Sequence, residues 1–360
     1  MTVPPTMSAA VFHGGHDIRV TEVDTPVPGP GEVLIRVGAA GVCGSDVLAF
    51  RGQGPWQHSA ERPGRDGHEL AGVVAAVGAG VTDRSVGQRV AVEPKHLIAC
   101  GHCPPCQAGR PHLCRRRGYV GDTHVTSEGF AEYDVSPAAR AHPLPDHVSL
   151  AAGAILDCYG CGVHTYHLVS HLLPATGGVA VVLGAGTMGL TQGQILRSHG
   201  LSVIMTGTNR ESLDLAVKAG AADTTALVGE NVGAVVASHT GGRGADLVVD
   251  AVAIPGVTLQ QAVGLVAPGG PIAILGVFAT PPRLDPHSAY VNEVSIHWSN
   301  SYGVYKGRSE YAEALDLVAS GRVDADALVT HRFPLARIVD GFVAADEKDT
   351  SLAMKVLIEP

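Results

Sequence analysis

The stretch at residues 179–200, VAVVLGAGTMGLTQGQILRSHG, constrains this chain more than any other. A short β-branched apolar run leads into Gly184-x-Gly186-x-x-Gly189, and a helical pattern carrying Leu190, Ile195 and Leu196 follows. Strand, glycine turn and helix in that order form the dinucleotide fingerprint. The first glycine makes the turn, the second admits a pyrophosphate, and the third lets helix pack on strand. Thr187 and Met188 stand between the second and third glycines, and the five residues together are candidate cofactor contacts. Downstream, LSVIMTG, ADLVVDAVA and GPIAILGVF read as buried strands, with RESLDLAVKAGA and GVTLQQAVGLVAP as helices between them. Strands alternating with helices predict a parallel, doubly wound sheet.

At 360 residues the chain exceeds one ordinary core, so a second domain is expected around that sheet. The formal charge of −9, with no long basic run, argues against nucleic acid or an anionic membrane as partner. No apolar stretch is long enough to span a bilayer, and MTVPPTM lacks the basic and apolar regions of a leader, so a cytoplasmic protein is expected. In a reducing compartment seven cysteines point to metal or catalysis instead of disulfides. Four of them, Cys100, Cys103, Cys106 and Cys114, follow C-x2-C-x2-C-x7-C. That spacing folds four thiolates onto one tetrahedral zinc with no open position, a structural site.

Two further candidates are weaker when taken alone. Cys43 sits in the frame GVCGSD, and His68 and Glu69 stand at the mouth of a strand-like run, LAGVVAAV, after a glycine that permits close backbone approach. About 20 residues past the fingerprint, an NAD-specific site places a carboxylate at the end of the second strand. This chain has Gly207, Thr208, Asn209 and Arg210 there. Glycine makes room for a 2′-phosphate, and arginine with hydroxyl donors binds it, although Arg210 is also what an exposed first-turn helix residue looks like.

Together AAGVCGSD, GHELAGVV, the four-cysteine lobe, VLGAGTMG and VTHRFPL resemble the zinc-dependent medium-chain alcohol and polyol dehydrogenases, in the family's order and over nearly the whole chain. The resemblance implies a GroES-like β catalytic domain from residues 1–160 and 303–360, with a Rossmann domain at 161–302 inserted and the active site in the cleft between. It implies a catalytic zinc held by Cys43 and His68, with Ser45 taking the hydroxyl proton and Asp46 orienting the ligand histidine. The third ligand falls on Asp157, where the family more often has cysteine or glutamate; Cys158 and Glu69 are its rivals. The family's proton relay often ends at a histidine where this chain has Leu48, so the proton leaves by another path.

The implied activity is hydride transfer between a secondary alcohol, of polyol, sugar or cyclitol type, and a nicotinamide cofactor, NADP being preferred and NAD possible. Two zinc ions per chain, a small-molecule alcohol or ketone as substrate, and a homodimer or homotetramer complete the expectation. A primary-alcohol or aldehyde dehydrogenase of the same superfamily, or a non-catalytic ligand-binding relative, are the alternatives.

Overall fold

The computed structural model describes residues 2–53, 58–61, 63–120, 123–278 and 280–360. The chain divides into two compact units, Met1–Asp157 with Ala325–Pro360, and Cys158–Asp324. The first crossing lies close to the expected 160/161 boundary. The second comes at 324/325 and not at 302/303, because the helix at Glu310–Ala319 is tied into the nucleotide unit. Its Glu310 carboxylate accepts from Gly303 N and His164 Nδ1, and Gln194 donates to the carbonyl of Asp324.

In the first unit the central strands are buried in continuous runs, residues 33–35 and 69–72 among them. Strand β1 (Glu32–Gly41) pairs antiparallel with β2 (Glu69–Val77), and the C-terminal strand Lys355–Glu359 pairs with the other edge of β1. Helix α1 (Gly44–Phe50) follows β1 directly and buries Val47 and Phe50. Phe50 packs at 5.4 Å on Phe342, which in turn meets Phe12 and Phe130. Burying a side chain of that size is worth about 1.5–3 kcal/mol, so α1 is pinned to the core by one face.

Helix α2 (Leu156–Val169) opens the second unit. Strands β3 (Val179–Leu183), β4 (Ser202–Gly207), β5 (Thr224–Leu227), β6 (Leu247–Asp250), β7 (Pro271–Ile274) and β8 (Ser295–Trp298) all run parallel in the order β5-β4-β3-β6-β7-β8. This is the doubly wound order, and its switch point lies between β3 and β6. Helix α3 (Thr187–Ser198) follows β3, and α4 (Arg210–Lys218) follows β4. The expected α/β architecture, a β domain carrying an inserted Rossmann sheet, is therefore present in the fold. Among the described residues no helix is long and apolar enough to cross a membrane.

Candidate active site

Strand register builds the first cluster. Gly41 of β1 faces Glu69 of β2, so Cys43, two residues beyond β1, and His68, one residue before β2, emerge at the same sheet end. Donor atoms of Cys43, His68 and Glu69 all lie within 4.8 Å of one another. Gly67 takes φ +111°, and a Cβ there would stand 2.6 Å from Phe130 N, so only glycine delivers His68 to this position. Asp46, in the first turn of α1, accepts from Cys43 N at 2.8 Å and reaches within 3.5 Å of His68 Nδ1. Burial pulls the His68 imidazole down, but the charges of Asp46 and Cys43 outweigh it and hold the ring well above its ordinary pKa.

Ser45 is half-buried on the same turn, and Leu48 is exposed. Asp157, half-buried in the first turn of α2, lies outside the converging trio. Cys158 beside it is buried.

Glu69 carries a feature that sequence reasoning missed. It is fully buried, and Lys355 of the C-terminal strand donates to it at 2.7 Å and to the carbonyl of Val42 at 3.1 Å. A Cβ on Gly41 would come within 2.2 Å of the Glu69 carboxylate, so that glycine makes room for the ion pair. The signal was a lysine inside the apolar run AMKVLI, since a buried ammonium requires a partner.

The four-cysteine lobe also closes. Sulfur separations are 3.3 Å for Cys103–Cys106, 3.5 Å for Cys114–Cys100 and 4.0 Å for Cys100–Cys106. Four sulfurs at about 2.3 Å from one zinc stand about 3.8 Å apart, so the donor set fits that ion. The thiols cannot all ionise unaided. A backbone N–H at His102 helps draw Cys100 down to about 6, whereas Cys103, despite the backbone N–H of Cys106, is pushed up to about 12 by its hydrogen bond to the Cys106 sulfur and by burial.

In the second unit the fingerprint closes a tight glycine turn between β3 and α3. Gly184 has φ +104°, and a Cβ there would strike Val252 at 2.1 Å, while one on Gly189 would strike the carbonyl of Gly184 at 1.9 Å. Gly186 faces open space and stands at the N-cap of α3 with no side chain, an arrangement that suits a helix start meeting an anion. Asp250, also missed from sequence, is buried at the end of β6, where it accepts from Val252 N, Ala253 N and Thr258 Oγ1 and fixes the loop opposite Gly184.

At the end of β4, Gly207 packs against Ala185 and Leu213, Thr208 is exposed, and Asn209 caps α4 by accepting from Ser212 N at 2.8 Å. Arg210 is half-exposed and lies 3.5 Å from Glu230.

Residues 29–146 match the alcohol dehydrogenase GroES-like domain, and residues 186–320 match the zinc-binding dehydrogenase domain. L-threonine 3-dehydrogenase of Deinococcus deserti is 34% identical over 91% of this chain and 92% of that protein. The chain belongs to the zinc-dependent medium-chain alcohol and polyol dehydrogenases. Within that family, sorbitol dehydrogenase of Bacillus subtilis is 29% identical over 100% of this chain and 99% of its own length. A solved structure of RspB from Escherichia coli CFT073, complexed with NADH, superposes with a TM-score of 0.86 at 28% identity and covers 99% of this chain and 100% of that one. The sequence-level resemblance thus named the right family, and an oxidoreductase using zinc and a nicotinamide cofactor follows from membership.

Proposed function

We propose that this dehydrogenase interconverts a secondary alcohol, of polyol or sugar type, with its ketone, and that it prefers NADP. The observation that carries the catalytic part is the convergence of Cys43 and His68 at one sheet end, with Asp46 beside the histidine. Zinc held there would act as a Lewis acid on the substrate oxygen, and nicotinamide would carry the hydride. Asp46 fixes the His68 ring through Nδ1, leaving the other ring nitrogen for the metal. Ser45 takes the hydroxyl proton. Asp157 supplies the third ligand position in this reading, because Glu69 is engaged by Lys355. A second zinc in the four-cysteine lobe would hold the loop and leave no position open.

The cofactor preference rests on Gly207, Thr208 and Arg210 at the end of β4, which itself carries no carboxylate to repel a 2′-phosphate. Asn209 serves there as a helix cap. Substrate class follows the relatives, which include a sorbitol dehydrogenase. We further propose self-association through β8, an outer strand of its sheet that ends on the exposed Trp298. The test is initial-rate kinetics with a panel of polyols, sugars and simple primary alcohols, each with NADP and NAD. Secondary alcohols with NADP should give the highest kcat/KM. Primary alcohols ahead throughout, or no turnover of either class, would overturn the substrate reading.

A further inference from the structure

The carboxylate missing from the end of β4 is supplied by its neighbour. Register pairs Gly207 with Leu227, so the end of β5 lies beside the end of β4, and Val228 N donates to the carbonyl of Gly207 at 2.8 Å. Three residues past β5 stands Glu230. One carboxylate oxygen accepts from Leu227 N at 2.8 Å, which fixes the side chain on its own turn; the other lies 3.5 Å from Arg210 Nη2. Both partners are about half-exposed, at 53% and 48%, so this ion pair is of the weak, screened kind.

We infer that Glu230 is a specificity-determining residue that competes with the 2′-phosphate of NADP for Arg210. This rests on the reading above that Arg210 binds that phosphate. A dianionic phosphate with three acceptor oxygens outbids a half-exposed carboxylate for a guanidinium, so the pair opens on binding and does not exclude NADP. The same competition subtracts from the affinity for NADP and leaves that for NAD, which has no 2′-phosphate, nearly untouched. Glu230 therefore narrows a preference that Arg210 creates, and the chain accepts both cofactors more evenly than Gly207–Arg210 alone would imply.

The experiment measures Kd for NADP and for NAD by titration calorimetry on the wild type, Glu230→Gln, Arg210→Ala and the double variant. Glutamine keeps an acceptor for Leu227 N, so the turn is preserved. Glu230→Gln is expected to raise the ratio Kd(NAD)/Kd(NADP) by about three- to five-fold, the scale of an exposed ion pair, through tighter NADP binding alone. In the Arg210→Ala background the same change should move the ratio less than about two-fold, because the group competed for is gone. A full effect persisting without Arg210 would overturn the inference, as would an unchanged ratio in Glu230→Gln while Arg210→Ala weakens NADP. If Arg210→Ala leaves NADP binding unchanged, the NADP reading itself fails, and the two failures are distinct.

Discussion

The two cysteine sites of this chain are built in opposite ways. In the lobe, Cys100, Cys103, Cys106 and Cys114 come from one loop, and a four-residue helix at Pro104–Gln107 capped by Cys103 suffices to bring sulfurs to 3.3–4.0 Å. At the proposed catalytic cluster, Cys43 and His68 flank the ends of two different strands and meet because Gly41 is registered against Glu69. A local site depends on spacing and answers to its own loop. A register-built site depends on the whole sheet, and here it adjoins the buried Glu69–Lys355 pair.

The sharpest way to break this comparison is to remove one sulfur from each site. Cys43→Ser should lower kcat/KM by about 100-fold or more, since even residues that merely support a metal ligand cost about 10–100-fold. Its melting temperature should stay near that of the wild type. Cys103→Ser should lose one zinc per chain by elemental analysis and lower the melting temperature, while retaining measurable turnover in the folded fraction. Equal losses of stability in both variants would show that the two sites do not divide the work in this way.

The same contrast explains what was legible in the sequence. The Rossmann sheet was readable because its signals are local: Gly189 meets a steric demand within its own turn, and the runs LSVIMTG and GPIAILGVF became β4 and β7. The cysteine lobe was readable for the same reason. The catalytic cluster was readable only through family resemblance, because nothing near Cys43 in sequence announces His68. Glu230 and Lys355 were not found, since each acquires its role from a neighbouring element that topology alone supplies; Asp250 was not found although its partners Val252, Ala253 and Thr258 follow it closely in sequence. A lysine in AMKVLI does, however, announce that some buried acid awaits it.

A smaller effect separates ligand from support around that cluster. Lys355→Met should leave Glu69 buried without its cation and destabilise the fold by about 3 kcal/mol, read as a lower midpoint in urea. Asp157→Asn should leave the midpoint in place and lower catalytic-zinc affinity or turnover by about 10-fold, whereas Cys158→Ala should be mild. A reversed ranking of Asp157 and Cys158 would move the third ligand to the thiol. Retained stability in Lys355→Met with lost zinc would show that Glu69 is drawn toward the metal site and not held by the lysine.

The smallest expected effect lies far from both cysteine sites in sequence terms, where α2 meets the helix at Glu310–Ala319. His164 and His167 each donate to one oxygen of Glu310, at 2.8 and 2.9 Å, and His167 also meets Glu313 at 3.3 Å. Burial alone would lower the His167 ring, but those two carboxylates hold it up at about 9, while burial and Arg322 bring nearby His199 down to about 4. A raised histidine stabilises fully below its unfolded value near 6.5 and loses that contribution as pH climbs through 9; a lowered one stabilises above 6.5 and loses it as pH falls through 4. The two limbs place the stability maximum near pH 6.5. Tyr166, which stacks on His199, is pushed further up by burial and does not set this window. His167→Gln should flatten the alkaline limb between pH 6.5 and 9, a change of about 1 kcal/mol or about 2–4 °C in melting temperature. It should weaken the acid limb only slightly, because the charge of His167 is the last and smallest of the causes that hold His199 down, after burial and Arg322. An alkaline limb equally steep in His167→Gln would assign that slope to another group.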